Sequence, residues 1–200
     1  MSPTDATAPS PAQVLAQTRA WVDGAVIALN LCPFAKAVQV KGLIRYVVSQ
    51  ADTPEALALQ LADELRLLAA TPMDQVETTL LVHPQVLGDF LDFNDFLGLA
   101  DDLLAELALD GEIQIASFHP DYRFAGTRAN DVTNASNRSP WPTLHLIREA
   151  SMDRAVEAGA DADSIVEANL ATLRRLGARG WAELRQRWLA ADQQAADGPA

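Results

Sequence analysis

The sequence predicts a single α/β domain in which helices pack on a mainly parallel sheet of about four strands. Strand-like runs alternate with helical segments along the first half of the chain, an order typical of parallel strands joined by helical crossovers. The length of 200 residues suits one domain with a sizeable core. The predicted domain covers residues 12–190, and the polar segments 1–11 and 191–200 are predicted to be disordered tails.

Each element is predicted from its local pattern. Short β-branched, aromatic and aliphatic runs predict strands at 43–49, 78–82, 113–118 and 143–147. Apolar residues at helical spacing predict helices at 12–30, 54–70, 85–109 and 164–176, with a short helix after Ser151 and a last helix around Trp181. Thr53 and Pro54 form a helix start, because proline in the first turn lacks only an unneeded N–H. Ser164 and Glu167 have the spacing of a capping box.

Charge and composition exclude some classes of partner. The formal net charge is −12 and the isoelectric point is near 4.5, so the attraction to phosphate that drives non-specific nucleic-acid binding is missing. A local basic patch from Arg123, Arg128 and Arg138 is the one exception left open. No run of eighteen apolar residues and no signal-peptide pattern occurs, so we expect a cytoplasmic protein without a membrane partner. One cysteine suits a reducing compartment.

Three histidines are candidate metal ligands. His83 and His119 each follow a predicted strand and precede a proline, so both should lie at the carboxyl edge of the sheet. His145 lies on the fourth strand, on the face opposite Leu144 and Leu146. Three imidazoles would suit zinc, iron or copper. The alternative is that these histidines cap helices or bind loop carbonyls, and their wide sequence spacing gives metal binding no motif support.

The polar connection between the third and fourth strands is the predicted site. Connections of this length inside a compact domain are usually functional or disordered, and its aromatic residues argue against disorder. His119 is the candidate acid–base residue, with Asp121 beside it to tune its protonation. Four residues are candidates for substrate binding: Tyr122, Arg123, Asn137 and Arg138. The guanidinium of Arg138 matches a carboxylate or phosphate, although it could also pair with a structural carboxylate such as Glu149.

Cys32 is the other candidate catalytic residue. It precedes Pro33 at a predicted helix start, and a thiol capping a helix N-terminus near Lys36 would have its thiolate favoured. The alternative is that Cys32 is a small buried apolar residue, as free cysteines often are. Because the chain has no second cysteine, a dithiol cycle within one chain is excluded.

Several segments together resemble one protein family. They are LNLCPFAKAVQVKGLIRYVVS, LLVHP, ASFHPDYRFAG and NRSPWPTLHLIRE. These segments are similar to a mainly bacterial, uncharacterised family catalogued as domain of unknown function 1415, over about residues 12–181. The resemblance implies no activity, so the candidate residues rest on their chemistry alone.

Three functional hypotheses follow. The leading one is an enzyme that acts on a small anionic molecule through a histidine-rich pocket that holds a divalent or transition metal, as a hydrolase or oxidoreductase. The second is an enzyme with Cys32 as nucleophile or redox thiol. The third is a non-catalytic ligand-binding or assembly module whose aromatic loop, with Tyr122 and Trp141, docks a partner. Dinucleotide, P-loop, serine-hydrolase and zincin motifs are absent from the sequence.

Overall fold

The structure is a computed structural model that describes residues 9–157, 159 and 161–191. Residues 1–8 and 192–200, which fall in the two predicted tails, lie outside this range. The helices are α1 (Pro11–Trp21), which continues into a π-helical turn (Val22–Ile27), α2 (Ala35–Val40), α3 (Pro54–Ala70), α4 (Phe90–Glu106), α5 (Glu149–Glu157) and α6 (Ala162–Leu189). The strands are β1 (Ile44–Val48), β2 (Thr78–Val82), β3 (Ile113–Phe118) and β4 (Thr143–Arg148), and a 3₁₀ helix (Val132–Asn137) precedes β4. No helix of the described residues is long and apolar enough to cross a membrane.

The four strands form one mixed sheet in the order β1-β2-β4-β3. The β1–β2 pair is parallel, whereas β4 lies between β2 and β3 and is antiparallel to both. Because β2 and β3 are each antiparallel to β4, they run in the same direction, as β1 does. The carboxyl ends of the first three strands therefore lie at one edge, where β4 begins.

The α/β architecture with four strands is confirmed, but the prediction of a mainly parallel sheet is wrong. The sequence placed the strands correctly and left open how β4 would pair. An alternating strand pattern is the same for parallel and antiparallel neighbours, so it does not specify direction. The long 119–142 connection returns the chain to the carboxyl edge, and a strand that starts there must run the opposite way.

Both faces of the sheet are covered, each by its own apolar cluster. The first cluster joins the sheet to α3 and α4 through residues that include Leu61, Leu81, Phe93, Leu144 and Leu146. The second cluster joins the other face to α1, the π-helical turn and α6 through residues that include Trp21, Leu80, Leu173, Trp181 and Trp188. Neighbouring residues of β2 point into different clusters, as the two-residue period of a strand requires.

The helix ends agree only in part with the predicted caps. The hydroxyl of Thr53 accepts a hydrogen bond from the backbone N–H of Ala56, and Pro54 occupies the first turn of α3, as predicted. The predicted capping box at Ser164 is wrong, because Asp161 is the residue that caps α6 and accepts from the N–H of Ser164. A carboxylate at this position also interacts favourably with the helix dipole.

Two polar contacts join distant parts of the chain. The guanidinium of Arg148, at the end of β4, donates to the carbonyls of Leu68, Thr71 and Val76 and so satisfies the end of α3. Gln17 in α1 accepts from the indole N–H of Trp141 and donates to the carbonyl of Leu189. These contacts fix α1, the start of β4 and the end of α6 relative to one another.

Gly177 separates α6 into two helical parts. Its φ of 70° and ψ of 170° lie in a region that residues with a Cβ adopt only with strain. We expect Gly177→Ala to lower the free energy of unfolding by about 1–3 kcal/mol. Gly98 lies on the exposed side of α4, with open space where the Cβ of an alanine would lie. Gly98→Ala should therefore raise the free energy of unfolding by about 0.5–1 kcal/mol.

Urea unfolding of both variants beside the parent chain measures these changes. Equal effects of the two substitutions would contradict the assignment of backbone strain to Gly177, because the added methyl group is the same.

Candidate functional site

The carboxyl edge of the sheet brings several predicted site residues into one region. The backbone N–H of His83 donates to the carbonyl of Pro142, and the N–H of His119 donates to the carbonyl of Asn137. Both strand ends are therefore tied to the 119–142 connection. The prediction that the two His-Pro pairs lie at the same edge is consistent with this arrangement.

The His83 side chain is fully buried on the α3–α4 face. Its Nδ1–H donates to the carbonyl of Val86 at 3.1 Å, and its ring lies 5.6 Å from that of Phe93. Since Nδ1 carries the proton, Nε2 has only a lone pair, and in the described part of the chain it finds no hydrogen-bond donor. Burial lowers the pKa of His83 to about 4, so the imidazole is neutral at pH 7.

His119 is the opposite tautomer, on the same face. Its Nε2–H donates to the carbonyl of Leu87 at 3.3 Å, and its Nδ1 accepts from the backbone N–H of Asp121 at 3.0 Å. The ring is fully buried and stacks on Phe93 at 5.3 Å. Desolvation lowers its pKa. With both nitrogens bound to backbone, His119 serves to hold the turn before α4 and has no free nitrogen for acid–base chemistry.

His145 lies on the other face of the sheet. It pairs with Leu80 across the β2–β4 ladder and lies 6.1 Å from the ring of Phe118, and both residues belong to the second apolar cluster. Its Nε2–H donates to Thr78, whose hydroxyl donates in turn to the carbonyl of Leu146. Desolvation lowers the pKa of His145 to about 4.

The three histidines therefore do not form the predicted metal site. The sheet separates His145 from His83 and His119, and the nitrogens of His119 are already occupied. Among residues 9–157, 159 and 161–191, no group of three or more His, Cys, Asp or Glu side chains is placed to hold a metal ion. The sequence argument failed here because His145 alternates to the face that His83 and His119 do not share.

Arg138 and Asn134 hold the 119–142 connection in place. Arg138 donates to the carbonyls of Tyr122 and Ala129. Asn134 is fully buried, accepts from the N–H of Phe124 and donates to the carbonyl of Arg128. Two guanidinium nitrogens of Arg138 thus bind backbone carbonyls and hold the connection, and the anion-binding role of Arg138 stays a prediction.

Of the other predicted site residues in the connection, one packs against aromatic rings and two are exposed to solvent. Tyr122 packs against the rings of Phe90 and Phe124, at 5.3 and 4.9 Å. Asp121 and Arg123 are exposed. Neither side chain lines the two cavities found among the described residues, and the predicted roles of Asp121 and Arg123 stay predictions.

The larger of two cavities found among the described residues lies on the α1–α6 side of the sheet and has a volume of about 480 Å³. Its apolar walls are Val26, Leu31, Phe118, Phe124, Val166 and Leu170. Its polar groups are Cys32, Thr127, Thr133, Ser136, Asn137 and Asn169. Phe124 and Val166 are 37% and 55% exposed and mark the side of the cavity open to solvent. Size and composition match those of small-molecule sites.

Cys32 and Asn137 are the two predicted site residues that line this cavity. Cys32 is partly exposed and is not disulfide-bonded. The prediction that Cys32 caps a helix is wrong, because α2 begins only at Ala35 after Phe34 and has no side-chain cap. The amide of Asn137 donates to the carbonyl of Ser117, which fixes the 3₁₀ helix against the end of β3.

A second cavity, of about 400 Å³, lies beside the turn before α4. Val86, Leu87, Gly88 and Phe96 contribute to its wall, and its only acidic side chains, Asp92 and Asp95, are exposed. Because it offers no buried polar group to orient a ligand, it is the weaker candidate.

Asn169 is one of the residues lining the pocket that were not predicted from the sequence. It lies on α6 between Val166 and Leu170 and donates to the carbonyl of Leu31. The signal was present in the sequence, since an amide interrupts an apolar stripe with i, i+3 and i+4 spacing. Ser136 was missed because a serine in a polar loop is indistinguishable from an ordinary turn residue.

Fold and site together define an α/β protein with a mixed four-stranded sheet and a small-molecule-sized pocket beside the carboxyl end of β3. The chain belongs to the family described as Protein of unknown function (DUF1415), whose model matches residues 13–183. No curated protein and no solved structure matches the chain. The family carries no assigned activity, so function must be argued from the site.

The buried histidines make stability depend on pH. A histidine in an unfolded chain titrates near pH 6.5, whereas His83 in the fold has a pKa of about 4. The unfolded state therefore binds the proton more readily. Neutral His83 makes its full contribution to the free energy of unfolding above about pH 6.5. This contribution, up to about 3 kcal/mol, is lost as the pH falls toward 4.

Urea unfolding of the parent and of His83→Gln at several pH values from 7 to 4 tests this expectation. The free energy of unfolding should fall more steeply in the parent, and carboxylate titration cancels because both chains share it. Parallel curves would show that His83 is not held neutral.

Proposed function

We propose that this protein binds a small, largely apolar molecule in the cavity lined by Cys32, which we call the Cys32 pocket. The observation that carries the proposal is the combination, in one cavity of about 480 Å³, of six apolar and six polar side chains from separate parts of the chain. Apolar walls supply affinity through burial, and a few polar groups fix the orientation of a ligand.

The location of the pocket supports the proposal. It lies where β3 ends at Phe118 and where the 119–142 connection leaves the sheet. Ligands of α/β proteins collect outside the carboxyl ends of strands, because the loops there can vary without disturbing the sheet.

The walls of the pocket are held before any ligand arrives. Asn134 fixes the backbone at Phe124, Asn137 fixes the 3₁₀ helix to β3, and Asn169 fixes α6 to Leu31. A preformed pocket loses less conformational entropy on binding, which favours affinity for a small ligand.

The absence of charge in the lining separates this proposal from a histidine-based enzyme acting on an anion. No charged side chain lines the described pocket, and Arg138 is engaged with loop carbonyls. An anion buried there would lack a counter-charge, which is costly. The ligand-binding hypothesis therefore has more support than the metal-assisted one.

Binding is tested with uncharged aromatic fragments of about ten to fifteen non-hydrogen atoms, for which millimolar dissociation constants are expected. Amide chemical shifts in ¹⁵N-labelled protein should change in the segments 26–32, 132–137 and 166–170. Val166→Trp narrows the open side of the pocket and should weaken binding about tenfold.

Val40→Trp is the matched control, because Val40 is 78% exposed at the end of α2 and does not line the pocket. It should bind the fragments as the parent does. Shifts confined to other surfaces, or equal binding by both tryptophan variants, would overturn the proposal.

Thiol chemistry at Cys32 is the second candidate function. The observation that favours it is that Cys32 is partly exposed within the pocket, so a bound electrophile would meet its sulfur. In this step the thiolate adds to an electron-poor double bond of the ligand. The S–C bond forms as the π bond breaks, and the resulting carbanion takes a proton from solvent in place of the proton that the thiol released. No histidine lines the described pocket to accept this proton.

Alkylation of the single cysteine by iodoacetamide measures this candidate. A catalytic thiol should react faster in the native chain than in the urea-unfolded chain at the same pH, because its environment favours the thiolate. A native rate equal to or below that of the unfolded chain would exclude activation of Cys32, and the unfolded chain serves as the internal control.

A further inference from the structure

We infer that the ligand of the Cys32 pocket is an uncharged molecule that donates hydrogen bonds, such as an alcohol on an apolar body. This inference rests on the proposed binding function and specifies its ligand class. The hydrogen bonds of the polar side chains in the pocket wall have directions that leave mainly acceptors for a ligand.

Two threonine hydroxyls of the pocket wall donate their hydrogen bonds to other atoms of the protein. Thr127 donates to the carbonyl of Phe124 at 2.8 Å and lies equally close to Oδ1 of Asn134. Thr133 donates to the carboxylate of Asp131 at 2.7 Å. Carbonyl and carboxylate oxygens only accept, so each hydroxyl must be the donor. Each threonine oxygen therefore keeps a lone pair that can accept a hydrogen bond from a ligand.

The hydroxyl of Ser136 also donates its hydrogen bond within the protein. Its hydroxyl lies 3.0 Å from Oδ1 of Asn137 and 3.4 Å from the carbonyl of Thr133, and both of these atoms are acceptors. The orientation of the Asn137 amide is fixed independently, because its Nδ2 donates to the carbonyl of Ser117. The Ser136 oxygen therefore also offers lone pairs to a ligand.

Asn169 adds a fourth acceptor. Its Nδ2 lies 2.9 Å from the carbonyl of Leu31, and the opposite amide orientation would place two oxygens against each other. Within the part of the chain that the structure describes, Oδ1 of Asn169 accepts no hydrogen bond from the protein. Acceptors thus outnumber the remaining donors, which are the second N–H of each asparagine and the weakly donating thiol.

The charge around the pocket restricts the ligand further. A carboxylate or phosphate would face acceptor oxygens without a lysine, arginine or histidine in the lining. The carboxylate of Asp131, which binds Thr133, has Arg174 and Arg138 near it and so brings no uncompensated charge to the wall. An ammonium group would also lack a carboxylate in the lining. A neutral hydroxyl group fits the wall without an uncompensated buried charge.

Three probes with the same ring system test the inference. Naphthalenemethanol and methoxynaphthalene, substituted at the same carbon, are isomers of equal size that differ in whether the oxygen can donate. Naphthoate adds a negative charge. Dissociation constants are obtained from the changes in amide chemical shift of the pocket segments in the parent chain and in the Ser136→Ala and Asn169→Leu variants.

The alcohol should bind about fivefold to tenfold more tightly than the ether, the value of one satisfied hydrogen bond, and naphthoate should bind most weakly. The ratio of alcohol affinity to ether affinity should shrink in at least one of the two variants, and because the ratio is taken within each variant, a change of the pocket wall that affects both probes cancels. Retention of the full preference by both variants would overturn the assignment of these acceptors.

The remaining outcomes separate the inference from the function on which it rests. Equal binding of alcohol and ether in the pocket, or tightest binding of naphthoate, overturns the donor-ligand inference and leaves the binding function standing. Pocket shifts from none of the three probes would overturn both.

Discussion

The pairing of β4 with both β2 and β3 is the constraint on which the rest of the structure depends. β4 satisfies the backbone groups of two strands that run in the same direction, and it does so only by running against them. The chain must therefore cross the carboxyl edge between Phe118 and Thr143. That crossing places the 119–142 connection, and with it the pocket wall, at the edge where the first three strands end.

Because it carries polar backbone across a covered edge, the connection needs internal hydrogen-bond partners. Asn134 and Arg138 provide them by bonding to carbonyls and an N–H of the same connection, and His119 provides them for the turn before α4. Arg138 and His119, which the sequence suggests as functional groups, thus hold backbone segments in place in the fold. In the Cys32 pocket, by contrast, hydroxyl and amide oxygens that keep free lone pairs line a cavity of the described residues.

The sheet also separates the imidazoles of His83 and His119 from the thiol of Cys32, which the sequence predicted to share one pocket. His83 and His119 contact Phe93 on one face, whereas Cys32, Asn137 and the second apolar cluster lie on the other. A mechanism that joins an imidazole of the first group to the thiol would require side chains to meet through a packed sheet. The buried histidines therefore contribute to stability and to its dependence on pH, whereas the uncharged lining of the Cys32 pocket supports the proposed binding function.

The sequence by itself determined where the strands lie, that Thr53 and Pro54 begin α3, and that His145 faces away from Leu144 and Leu146. These features depend on residues a few positions apart, through strand alternation and capping. Only the tertiary structure decided the direction of β4, the separation of the histidines and the meeting of Asn169 with Cys32 at one pocket. Alternation fixes which side of a strand a residue occupies but not which strand lies beside it, since pairing is set by contacts between residues far apart in the chain.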